Sequence, residues 1–140
     1  MRNSHSYLTV FLAVFFGSAA SADNSLMRDF ATCTGRLSAE VEHSWLVATA
    51  EADRNEAMYN NMASLLAAVT APEDEVRARS MRIDAKVAHS RLLLQAAFGW
   101  DADQRAFAER RARDLLISCS ALILADSAKT PAKIWAVGSE

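Results

Sequence analysis

The feature that most constrains the fold of this chain is a pair of cysteines, Cys33 and Cys119, each set in an apolar helical pattern. Around Cys33, apolar residues recur at steps of three, four and seven, so at about 100° per residue they share a stripe roughly 80° wide. The members of this stripe are Leu26, Phe30, Cys33, Leu37, Val41 and Ala48. The pattern predicts a first amphipathic helix with Cys33 in its apolar face. Gly35 lies on the other side of this helix, and one interpretation is the close approach of another backbone.

The first 22 residues have the pattern of a secretory signal. Arg2 gives a positive start, Leu8 to Phe16 is apolar, and Ala20-Ser21-Ala22 is a small-x-small cleavage site. We therefore predict a signal peptide over residues 1–22, cleaved before Asp23, and a periplasmic or secreted location. An uncleaved membrane anchor is the alternative.

Export bears directly on the two cysteines, because disulfides form and persist in oxidising compartments. With only two cysteines in the chain, one intramolecular pairing is possible, Cys33 with Cys119. Closing so long a loop is worth on the order of 4 kcal/mol in the chain-entropy model. Two free buried thiols are the alternative.

Three more helices are predicted after the first. The second runs from Asp53 to about Val69, the third from the Thr70–Pro72 punctuation to Phe98, and the fourth from Asp101 to about Ala125. Asp101 and Gln104 fit a capping box at the start of the fourth helix, as Asp53 and Glu56 do for the second. The predicted apolar faces are Met58, Met62, Leu65, Leu66 and Val69 on the second helix, and Ala108, Ala112, Leu115, Leu116, Cys119, Leu122 and Ile123 on the fourth.

The third helix carries more apolar surface than one stripe. Its predicted core stripe consists of Val76, Ile83, Val87, Leu94 and Phe98. Met81, Leu92 and Leu93 lie off that stripe, which leaves surplus apolar surface of the kind that contacts a partner or a second copy.

Together these patterns predict an all-α fold, an antiparallel up-down-up-down four-helix bundle over residues 23–126 with a tail over residues 127–140. The cysteines support this topology. Cys33 lies about eight residues into the first helix, and Cys119 lies about as far from the end of the fourth, so antiparallel packing brings them to one level. We expect one disulfide linking helices 1 and 4.

Aromatic residues concentrate near the opposite end of the predicted bundle. They suggest a pocket for a small ligand or a patch for a protein partner, or else simply a plug over the bundle end. The candidate residues are Trp45, Met58, Tyr59, Phe98 and Trp100, together with Trp135 on the tail.

Metal binding and catalysis have little support in the sequence. Glu40 and His43 form an E-x-x-H spacing that occurs once, and His89 is a single histidine on the third helix. These three are weak metal candidates, because a zinc site takes three or four ligands. No catalytic motif is found and no cofactor is expected.

The mature chain, which loses only Arg2 among its charged residues, has a net charge of −3 and no basic patch, so nucleic acid is not an expected partner. No apolar run after the signal is long enough to cross a membrane. We predict a non-enzymatic exported interaction module with an unknown protein partner or a homodimer contact. The alternative is a small-ligand or metal carrier that uses the bundle interior or the Trp45/Trp100 pole.

Overall fold

The structure, a computed structural model, describes the backbone of residues 19–129 and the side chains of residues 24–123. Four helices account for nearly all of this range, and it contains no strand. They are α1 (Ala19–Leu46), α2 (Ala52–Val69), α3 (Glu75–Phe98) and α4 (Ala102–Lys129), with a short 3₁₀ turn at Pro72–Asp74 before α3. The predicted all-α fold with four helices is confirmed. Residues 1–18 of the predicted signal peptide and residues 130–140 of the predicted tail lie outside the described residues, whereas residues 19–22 belong to α1 and residues 127–129 to α4.

The helix boundaries follow the predicted caps only in part. The backbone N–H of Gln104 donates to Asp101 Oδ1 at 2.8 Å, so Asp101 caps α4 as predicted. At α2 the predicted cap is wrong, because the helix begins at Ala52 and Asp53 lies in its first turn. Both α1 and α4 also extend a few residues beyond their predicted outer ends.

Helix α1 is the centre of the fold. It packs against α2, α3 and α4, and α3 also packs against α4. Within the described residues, α2 has no Cα atom within 8 Å of α3 or α4. The up-down-up-down order of the helices stays a prediction, whereas this central position of α1 is a feature that the sequence pattern did not indicate.

The side chains of α1 are buried on more than one face, as its position requires. Most of the predicted stripe is in the core, but Leu26 is exposed and Ala48 lies beyond the helix on the surface. The buried apolar residues of α1 are Met27, Phe30, Ala31, Cys33, Leu37, Ala39 and Val41. Met62 and Leu66 of α2 and Cys119 of α4 join the same core.

The disulfide between Cys33 and Cys119 is present, with a Cα–Cα distance of 5.5 Å and both residues buried. It joins α1 to α4, as predicted. The guanidinium of Arg36 donates a hydrogen bond to Cys119 Sγ at 3.7 Å. Burial lowers the pKa of Arg36 and the nearby positive charge of Arg111 lowers it further, so the charged form of Arg36 is disfavoured at this site.

Helices α1 and α3 are in close backbone contact at Gly35. A Cβ at this position would stand 2.2 Å from the carbonyl oxygen of Arg82 and 3.0 Å from the Cβ of Ala85. The glycine is therefore needed for the backbone contact, which confirms the interpretation of Gly35 drawn from the sequence.

The predicted core face of α3 is wrong. Its stripe residues Val76, Ile83, Val87, Leu94 and Phe98 are exposed, and the side facing α1 is the one that carries Ala78, His89 and Leu93. Small residues at the contact, Gly35 on α1 and Ala78 and Ala85 on α3, allow the two backbones to pack closely. That packing turns the larger apolar side chains of α3 outward.

Candidate functional site

The most unusual surface of the described chain is an apolar stripe along α3. We define the α3 stripe as Val76, Ile83, Val87, Leu94 and Phe98. These side chains are 45–82% exposed, with Val76 the most exposed. Soluble proteins rarely leave a contiguous row of large apolar side chains in water unless something covers it. The α3 stripe is therefore the first candidate for an interaction surface.

The α3 stripe is straight because of its spacing. Its members are separated by steps of seven, four, seven and four residues, so on a helix they lie within a sector roughly 60° wide. Ser80 and Ser90 fill the gaps along the same line. A row with these steps has the form of a helix–helix seam.

Charged residues flank the stripe. Asp84 and Arg91 lie along one edge, each directly after a residue of the row, and both are exposed. On the other edge, Lys86 is held by an ion pair with Glu42 of α1. One edge of the stripe thus keeps two opposite charges available for a partner.

The aromatic residues predicted to form a pole are divided between core and surface. Met58 and Tyr59 of α2 are partly buried and pack against the central apolar cluster. Trp45, Phe98 and Trp100 are largely or fully exposed. Trp135 lies outside the described residues. Trp100 extends the apolar surface past Phe98, the last residue of the α3 stripe, and Arg105 donates to the carbonyl oxygen of Gly99 between them at 3.0 Å.

Two of the three weak metal candidates meet inside the fold. His89 Nε2 and Glu40 Oε1 are 2.7 Å apart across the α1–α3 contact, with the histidine side chain fully buried and the Glu40 side chain 12% exposed. The other ring nitrogen, Nδ1, is buried and has no hydrogen-bond partner. His43 does not join them. Among the described residues, no group of three or more His, Cys, Asp or Glu side chains is arranged to hold a metal ion.

The Glu40–His89 pair joins two helices rather than facing solvent. The sequence presented Glu40 and His89 as weak metal candidates on separate helices, and the structure pairs them with each other. The imidazole faces α1 because Ala78, Ala85 and Leu93 place that side of α3 in the core. In the sequence, Ala85 and Leu93 lie four residues before and after His89, and Ala78 lies eleven residues before it, so all four share one face of the helix. This spacing was the signal that the sequence analysis missed.

A cleft separates α2 from α3 at the end where the Pro72 turn connects them. It has a volume of about 290 Å³ and is open to solvent. Its walls are Ala63, Leu66 and Ala67 of α2, Thr70 directly after α2, and Glu75, Ala78, Arg79 and Arg82 of α3. The cleft exists because α2 packs on α1 without approaching α3.

Comparison with models of protein families, with curated proteins and with solved structures gives no match. Within residues 19–129, no helix has both the length and the apolar character needed to cross a bilayer. The chemistry of the surface is therefore the basis for a functional assignment.

The described residues offer a long apolar seam, an open cleft and one buried carboxylate–imidazole pair. The seam suits binding to another helix, since its row of large side chains can interlock with a complementary row. The buried pair suits helix packing, because the imidazole has no access to solvent.

Proposed function

We propose that this protein is a non-enzymatic interaction module that acts in the periplasm or outside the cell and binds a protein partner through the α3 stripe. The observation that carries this proposal is the exposure of five large apolar side chains in one row on a helix whose opposite side is packed in the core. Full burial of such side chains contributes about 1.5–3 kcal/mol each, so covering the row would favour association strongly.

The location outside the cytoplasm is supported by two observations. The first residues have a signal-peptide pattern, and the chain has a disulfide. A disulfide is typical of oxidising compartments.

The non-enzymatic character is supported by how the chain uses its titratable groups. The one buried carboxylate–imidazole pair of the described residues, Glu40 with His89, is enclosed between α1 and α3, where a substrate has no access to the imidazole. Cys33 and Cys119 are joined in the disulfide, so neither thiol is available as a nucleophile.

Position-specific photocrosslinking tests the proposal. A photoreactive amino acid is placed at Ile83 in the exported, oxidised protein, and a matched variant carries it at Ile117 of α4. Both isoleucines are similarly exposed, at 52% and 59%, but only Ile83 lies in the α3 stripe. We expect an adduct from position 83 that disappears when Val87→Glu is added. Equal adducts from both positions, or none from either, would contradict the proposal.

A second candidate, a small-ligand carrier, is favoured by the cleft between α2 and α3. Its lining combines apolar side chains of α2 with Glu75, Arg79 and Arg82 of α3, and the two arginines suit a small molecule with an anionic group. Native mass spectrometry of freshly purified protein tests it. A non-protein mass that is lost in the Ala67→Trp variant, which fills the cleft, would favour a carrier over the interaction module.

A further inference from the structure

The α3 stripe has the features of a seam that matches itself. Its members are Val76, Ile83, Val87, Leu94 and Phe98, with Ser80 and Ser90 between them, and the resulting steps of three and four are those of a two-helix seam. The row spans most of the 24 residues of α3, so it covers three heptad repeats. That length suits a helix of similar length as the occupant.

The charged residues at the edge of the α3 stripe indicate which helix could cover it. Asp84 follows Ile83 and Arg91 follows Ser90, so the two lie seven residues apart on one edge of the seam. Both are exposed, and neither makes a hydrogen bond or ion pair within the described part of the chain. In an antiparallel helix pair, equivalent edges of the two helices face each other. Asp84 of one copy then meets Arg91 of the other, and the contact occurs twice.

The same register aligns the apolar row. When Asp84 faces Arg91 of the second copy, Ile83 lies opposite Leu94 of that copy, and Val87 lies opposite the small side chain of Ser90. Large side chains therefore meet large or small ones in the middle of the seam, from Ile83 to Leu94, and the two end residues Val76 and Phe98 lie outside this matched segment. A parallel pair would bring Lys86 of one copy toward Arg91 of the other and Arg79 toward Asp84, so one repulsion offsets one attraction. The antiparallel pair has two attractions and is therefore favoured.

We propose that the occupant of the α3 stripe is a second copy of this chain, packed antiparallel through α3, with Asp84 of each copy paired with Arg91 of the other. This inference rests on the proposed function, since it names the partner of the same surface. The dimer is symmetric and closed, because both copies use the same patch.

The test measures the mass of the full, oxidised, exported chain by sedimentation over a dilution series. We expect a monomer–dimer equilibrium for the wild type and for Ile117→Glu, and a monomer for Ile83→Glu. The two isoleucines are similarly exposed, so the matched variant controls for the loss of a surface apolar residue. Circular dichroism checks that both variants keep their helices. A wild type that is monomeric at every concentration, or an Ile83→Glu variant that still dimerises, would overturn the proposal.

Charge exchange tests the antiparallel register. D84R and R91D should each weaken dimerisation about tenfold, because each places two like charges at both contacts, and the double variant should restore the wild-type Kd. In a parallel pair R91D would instead face Lys86 of the second copy and tighten the dimer, which would overturn the antiparallel arrangement.

The photocrosslinking described above separates the two proposals. An adduct of twice the chain mass from position 83 supports both. A different adduct, obtained with a chain that sediments as a monomer, overturns self-association and leaves the interaction module standing. The absence of any adduct from position 83 overturns both.

Discussion

Gly35 of α1 lies directly against the backbone of Arg82 on α3, so closely that a Cβ at position 35 would stand 2.2 Å from the Arg82 carbonyl oxygen. Contacts this close between helix backbones occur only where side chains are minimal. This approach sets which face of α3 meets α1, and so which face of α3 remains in solvent.

Gly35→Ala should therefore destabilise the fold. Alanine is the better helix former by about 1 kcal/mol, so helix propensity alone predicts a gain in stability. The clash with the Arg82 carbonyl should override it and lower the free energy of unfolding by about 1–3 kcal/mol. Urea unfolding followed by circular dichroism measures the change. Thr32→Ala on the same helix, which raises helix propensity without this clash, is the control; an equal gain from both variants would contradict the prediction.

His89→Ala should also destabilise the fold, through Glu40. Removal of the imidazole leaves a largely buried carboxylate without its partner at 2.7 Å, together with a cavity between α1 and α3. We expect a loss of about 3 kcal/mol. Glu42→Ala, which breaks an exposed pair with Lys86, should cost no more than about 1 kcal/mol. In a double-mutant cycle, additive effects of His89→Ala and Glu40→Ala would show that the pair is not coupled.

Arg111→Glu should stabilise the protein. The pKa of Arg36 lies below its usual value, first because of burial and then because of the positive charge of Arg111, so an opposite charge at position 111 favours charged Arg36. Because Arg111 is exposed, the expected gain is only about 0.5 kcal/mol and should shrink in high salt. Arg110→Glu changes the net charge equally and is the control. Thermal melts at two salt concentrations distinguish the variants, and an equal gain from both would refute the role of position 111.

Ala48→Gly should stabilise the end of α1. Ala48 has a φ of 51°, in the left-handed region, and the flanking amides of Val47 and Thr49 bond back to His43 and Ser44. Such a helix end favours glycine, because a side chain in this conformation costs about 1–2 kcal/mol. After the greater chain entropy of glycine is subtracted, we expect a gain of about 0.5 kcal/mol. Ala50→Gly, two residues later and without a positive φ, should be neutral or destabilising; a gain there of the same size would mean that the φ at position 48 is not the cause.

Much of the fold was predictable from local patterns. Pro72 and the Gly99–Asp101 segment punctuate the chain, so the number of helices and their approximate ends follow from the sequence. Cys33 and Cys119 are the only cysteines and both lie in apolar stripes, so their pairing followed as well. The start of α2 was predicted at Asp53, but the helix begins at Ala52 with Glu51 at the N-cap position. Such errors of one or two residues arise because several neighbouring residues can occupy the cap position.

The α3 stripe was less predictable as a surface, because the spacing of apolar residues on a helix does not determine which neighbouring helix they contact. The row of Val76, Ile83, Val87 and Leu94 has the periodicity of a core face, and periodicity is the same for a core face and for a seam awaiting another helix. Glu40 and His89 are 49 residues apart, and no local signal in the sequence connects them.

The sequence by itself determined the helices, the disulfide and the apolar character of each stripe, because these depend on side chains within a few turns of one another or on a unique pair of cysteines. Only the tertiary structure decided that α1 is the central helix, that His89 is enclosed against Glu40 and that the α3 stripe faces outward. The physical reason lies at Gly35. Close backbone packing between α1 and α3 requires small residues on both sides, and the face of α3 that can meet this requirement is the one with alanines rather than the one with the largest apolar side chains.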